Sequence, residues 1–248
     1  MKAIYLLMMT AVVVLATATG ARADWDPGDP FKMHFPQMPD PSGWDVDIST
    51  PWVADDWLCT QTGPIRDIHF WASWRDDSPG VVFQVMGHLF DNIPADESPT
   101  GYSIPGNYLG GAVFNQFTIR NWPEAGVQGY LFPDEEFLPN NHTGIYQVNV
   151  TGIDDPVFYQ EAGKTYWLML GVEAGDGWFG WKTSKDHFQD DAVYMRHLET
   201  GGDEWIELRD PITGESMDMA FVITPEPATL ALLGLGAVAM VVRRRSSR

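Results

Sequence analysis

A chain of 248 residues has room for one large domain or two small ones. Its 34 acidic residues outnumber 15 basic ones, and the formal charge of -19 excludes nucleic acid as a partner, because phosphate binding needs clustered cations. Aromatics at 13 %, with 24 glycines and 18 prolines, exclude a coiled coil or helix bundle, and the single cysteine excludes a disulfide framework and a Cys-based zinc site.

At the N-terminus Lys2 precedes an apolar run from Ile4 to Leu15, and Ala21 and Ala23 frame an A-x-A cleavage site. This order predicts a secretory signal peptide over 1–23, a short helix removed at export. The body that follows, 24–224, keeps 9 basic and 33 acidic residues, a net charge of -24, and all 11 tryptophans. Such a charge keeps an exported protein soluble and attracts divalent cations.

The body opens with 24–49, rich in Pro, Asp and Gly, with aromatics at irregular spacing. This predicts an extended arm lying on the domain. From there the period is mostly two. In 67–74, Ile68, Phe70, Ala72 and Trp74 share one face while Asp67, His69, Trp71 and Ser73 share the other, the pattern of a half-buried strand. Further strands are expected over 81–90, 113–120, 144–150, 165–172, 178–182, 192–197, 205–208 and 217–223. Turn signals such as Asp77-Ser78-Pro79-Gly80 and Gly175-Asp176-Gly177 separate them. Many short strands without an amphipathic helix predict an all-β fold, an antiparallel β-sandwich of jelly-roll type.

The chain ends with an uncharged run from Ala228 to Val242, then Arg243, Arg244 and Arg245. The run is shorter than the roughly 20 residues of a typical spanning helix. It predicts a hydrophobic helix with its arginines on the cytoplasmic side. Pro225-Glu226-Pro227, the Leu/Gly/Ala run and the Arg cluster together resemble the PEP-CTERM sorting signal over 225–248. The resemblance implies transient retention in the membrane, recognition and removal of the tail by an exosortase-type protease, and delivery to the cell surface or extracellular matrix in bacteria that secrete exopolysaccharide.

Within the body, Ala54-Asp55-Asp56-Trp57-Leu58-Cys59, Gly63-Pro64-Ile65, Asp67-Ile68-His69-Phe70-Trp71, Thr100-Gly101-Tyr102-Ser103-Ile104-Pro105-Gly106, Gly180-Trp181-Lys182-Thr183-Ser184 and Asp190-Asp191-Ala192-Val193 resemble an uncharacterised family of secreted bacterial proteins that often carry such tails. That resemblance implies a β-sandwich and an exported location, and no activity.

No nucleophile elbow, P-loop, dinucleotide-binding glycine loop or zincin motif occurs, so no catalytic residue is assigned and a non-enzymatic protein is expected. Cys59 reads as a small buried residue. His69 and His88 would hold a metal only if their strands were neighbours. Asp55-Asp56 and Asp190-Asp191 are adjacent in sequence, so on a strand each doublet diverges and neither supplies the facing pair a glycosidase needs. No cofactor is expected, with structural calcium in the Asp- and Gly-rich segments 186–191 and 175–177 as an open alternative.

The aromatic pattern carries the ligand expectation. Trp71, beside Asp67 and His69 on a polar strand face, would stack on a sugar ring while its neighbours bind hydroxyls. The sequence-level expectation is therefore a structural or carbohydrate-binding protein associated with exopolysaccharide, with a carbohydrate-active hydrolase on the same fold as the alternative.

Overall fold

The structure, a computed structural model, describes residues 24–49, 52–124, 126–156, 158–198 and 202–225. Along these residues the chain forms β1 (Trp44–Asp47), β2 (Val53–Leu58), β3 (Gly63–Pro64), β4 (Asp67–Trp74), a 3-10 turn at Arg75–Asp77, β5 (Val81–Ile93), β6 (Ile104–Phe114), β7 (Thr118–Asn121), β8 (Gln128–Phe132), β9 (Glu136–His142) and β10 (Tyr146–Val150). There follow β11 (Tyr159–Gln160), β12 (Thr165–Gly175), β13 (Phe179–Ser184), β14 (Val193–His197), β15 (Asp203–Glu207), β16 (Asp218–Met219) and β17 (Phe221–Thr224). The all-β expectation holds.

The strands form two main sheets. One runs β7-β10-β4-β13-β1-β8-β9, with β16 on β13 and β17 on β4; the other runs β15-β14-β2-β12-β5-β6. A short third sheet pairs β11 with β3. Alternation explains their packing. The Ile68/Phe70/Ala72/Trp74 face of β4, with Phe179 and Trp181 of β13 and Phe221 of β17, meets Trp57 of β2, Leu168 and Leu170 of β12, and Val85 and Leu89 of β5 in one core. Trp57 of one sheet and Phe221 of the other stand edge to face with centroids 6.0 Å apart. Burying aromatics of this size supplies the area that disulfides would otherwise have to replace.

β4 is the axis of the larger sheet. β10 lines one edge; on the other, β17 runs beside Asp67–Phe70 and β13 beside Ala72–Trp74. The arm ahead of β1 lies along the free side of β17, where Lys32 and Gln37 amides donate to the Ile223 and Phe221 carbonyls.

Several expectations need correction. The arm ends before Trp44, because 44–47 is a strand in the middle of the larger sheet. Trp44 and Val46 do alternate with Asp45 and Asp47, but the run is short, lies inside a Pro-, Asp- and Gly-rich stretch, and has both aspartates buried. The sheet is not wholly antiparallel, since β1 pairs with β8 in parallel. The run expected over 113–120 breaks after Phe114, and that over 217–223 divides at Ala220 into β16, paired with β13, and β17, paired with β4. The signal helix and the C-terminal hydrophobic helix fall outside the described residues. Among the described residues no helix is long and apolar enough to cross a membrane.

Candidate ligand-binding face

The trio Asp67, His69 and Trp71 does share one face of β4, but that face is not solvated. Trp71 is 0 % exposed, and His69 and Asp67 are buried. Trp25 of the arm and Trp122 both stand edge-on to the Trp71 ring, at 6.0 and 5.1 Å between centroids. His69 Nδ1 bonds Asn149 Oδ1 at 2.7 Å, its Nε2 lies 3.3 Å from Thr224 Oγ1, and Asp67 Oδ1 accepts from the Gly152 amide at 2.8 Å. Burial holds the His69 imidazole down at about 4, so it is neutral in neutral solution. The physical reason for the difference is long-range. The arm returns over the sheet and makes a second core layer where alternation alone implies water.

The outer face of the six-stranded sheet has the properties that β4 lacks. Over residues 85–90 of β5 the even-numbered side chains face outward, so Met86, His88 and Phe90 are half-buried while Val85, Gly87 and Leu89 enter the core. Tyr108 of β6 lies opposite Phe90 and is 58 % exposed. Trp52, just ahead of β2, stands edge-on to His88 at 5.0 Å; His88 contacts Tyr108 at 5.7 Å, Tyr108 contacts Phe90 at 5.4 Å, and Phe90 contacts Trp205 of β15 at 6.2 Å. Of these rings, Trp52, Phe90 and Trp205 rest on Trp167 and Met169 of β12 and Ala54 of β2.

Two glycines make room for the rings. A Cβ on Gly111 would fall 2.5 Å from His88 Nδ1 and 2.8 Å from the Tyr108 hydroxyl, and one on Gly171 would fall 3.1 Å from the Trp52 ring. His88 is held below the usual histidine range by burial. A neutral imidazole offers one donor and one acceptor beside the ring faces, which suits hydroxyl groups. Period two in β5 was the available signal for this face, but its assembly depends on β6, β12, β2 and β15, which sequence spacing does not bring together.

The other candidates are arranged differently from expectation. His69 and His88 belong to strands of different sheets and do not meet. Asp55 Oδ2 accepts from Gln37 Nε2 and the Met219 amide, Asp190 from Ser103, and Asp191 pairs with Arg209 and Ser216. Asp186, in the proposed calcium segment, accepts from the Met38 amide. Among the described residues, no group of three or more His, Cys, Asp or Glu is placed to hold a metal ion. Asp55 and Asp56 are buried and raised well above the usual carboxylate range, chiefly by burial and then by neighbouring carboxyls. Cys59 is a buried free thiol whose Sγ donates to the Gln61 carbonyl. Trp178 is 44 % exposed and Trp181 is fully buried.

Of the processing residues, Pro225 is described and follows directly on β17; Ala21, Ala23, Glu226, Pro227, Arg243, Arg244 and Arg245 lie outside the described residues. Residues 224–245 match the PEP-CTERM protein-sorting motif, which makes this an exported protein with a tail of the kind exosortase recognises. No curated protein and no solved structure matches the chain. Residues 33–224 match the family described as Domain of unknown function (DUF7901), nearly the whole β-sheet body, and the chain belongs to that family.

Proposed function

We propose that the exported body is a non-enzymatic glycan-binding module that contacts exopolysaccharide at the cell surface or in the matrix, through the outer face of the six-stranded sheet. The observation that carries this reading is the row of rings from Trp52 through His88, Tyr108 and Phe90 to Trp205, with a neutral histidine among them. Ring faces stack on the C–H faces of sugars, and interspersed polar atoms bind hydroxyls. Apart from the buried Asp55 and Asp56, the strands of this sheet carry five acidic residues against one arginine, and Arg196 is already paired with Asp134. Such a field favours a neutral or amino-bearing polymer over a uronate-rich one. The non-enzymatic reading is supported by the burial of Asp55, Asp56 and Asp218, since a glycosidase pair must flank an accessible polymer.

Affinity electrophoresis tests the proposal, with gels containing a neutral β-glucan, chitosan or alginate. Retardation by the first two and not by alginate is expected, and it should be weakened in Tyr108→Ala. Equal migration in all gels, or retardation that Tyr108→Ala and Trp52→Ala leave unchanged, would overturn it.

A further inference from the structure

Asp45 of β1 lies directly opposite Lys182 of β13, and both side chains, with that of His142 at the end of β9, are completely shielded from solvent. Lys182 Nζ is 2.9 Å from Asp45 Oδ2, and His142 Nε2 is 2.8 Å from the same oxygen. Asp45 Oδ1 has no hydrogen-bond partner. The second contact of Nζ is the Trp44 carbonyl at 3.4 Å.

The proton inventory follows from the neighbours. The Asp76 amide donates to Asn141 Oδ1 at 2.8 Å, and Asn141 Nδ2 donates to Asp76 Oδ1 at 2.6 Å, which fixes the orientation of the Asn141 side chain. His142 Nδ1, 3.2 Å from that Oδ1, must therefore carry hydrogen. Nε2 and Asp45 Oδ2 then share a proton, because two lone pairs at 2.8 Å would repel. With that proton in place, an ammonium at Lys182 would add a positive charge to a dry site, at a large desolvation cost. Burial outweighs the pull of Asp45 and Asp40 and lowers the Lys182 amine. The site thus sets an amine whose charged form burial disfavours against the Asp45 carboxyl and the proton it shares with His142.

We propose that Lys182 and Asp45 condense in the folded chain to an intramolecular amide bond, with His142 moving the proton. Nζ attacks Cγ, the Nζ–Cγ bond forms and the Cγ–Oδ2 bond breaks. Nζ gives up one proton, His142 Nε2 passes it to Oδ2, and Oδ2 leaves as water while Oδ1 becomes the amide oxygen. No oxidant or reductant is needed. The bond would join residues 137 apart in sequence, in a protein that has no disulfide.

Mass spectrometry of the purified, denatured protein decides the matter. The mass is expected to be one water below that calculated for its termini. Trypsin should release residues 33–66 covalently joined to 165–185, with no cleavage after Lys182. Lys182→Met should restore the calculated mass, and His142→Gln should slow the loss of water after refolding. Cleavage after Lys182 in the wild-type protein overturns the proposal. That holds even if a water is missing, since Asp176-Gly177 could lose one as a succinimide. The wild-type digest gives this answer whether or not the variants fold.

Discussion

Trp25 stands edge-on to Trp71 across the outer side of β4, with the ring planes at 86°. The first described residues of the chain thus cover the centre of the larger sheet. Trp71→Ala is expected to lower stability by about 3–5 kcal/mol, as emptying a core aromatic site does. Urea unfolding measures this, and a change below about 1 kcal/mol would mean that the arm does not bury Trp71 in solution.

Tyr108 is the opposite case, a ring whose removal leaves the core intact. Tyr108→Ala should weaken glycan retention about tenfold, or about 1.4 kcal/mol, and change stability by about 0.5 kcal/mol or less. Trp52→Ala should weaken retention similarly. Titration of the retarding polymer checks both values.

Stability should fall as pH rises from about 5 to 8, because the buried carboxyls, Asp55 and Asp56 included, outnumber the buried histidines that oppose them. Burial raises Asp218 to about 7 and Asp191 to about 6, from 3.8. The folded protein holds these protons where the unfolded chain has lost them, so this stability is full at low pH and is lost as pH rises through 6 and 7. His34 and His69 are lowered by burial from 6.5 to about 4, and their contribution is present above 6.5 and lost as pH falls toward 4. Unfolding midpoints should fall across this range, with the slope reduced in Asp218→Asn. A midpoint still rising from pH 6 to pH 8 would contradict these assignments.

Glu226 lies in the sorting motif. Glu226→Ala should leave more full-length, membrane-associated protein in a host that carries an exosortase. Fractionation and blotting measure this, and unaltered release would make the tail a simple anchor.

The position of β4 was legible, and its bounds match the alternating run residue for residue. β1 was not legible, because Asp45 and Asp47 look solvated until Lys182, His142 and Tyr130 are placed against them. The sorting tail was readable because its order is local. The ligand face was not, for the reverse reason. Trp71 carried an apparent signal that Trp25 cancels from 46 positions away, whereas Trp52, Tyr108 and Trp205 form one surface only after strand pairing.

The last strand also has a mechanical role. β17 ends at Thr224, and the sorting motif begins on that same residue. Only Pro225, Glu226 and Pro227 separate β17 from the apolar run that starts at Ala228, and extended chain reaches only about 3.5 Å per residue. Any tension on an embedded tail is therefore delivered straight to β17. That strand is held on one side by β4 and on the other by the arm at Lys32 and Gln37, so the load is shared between two ladders.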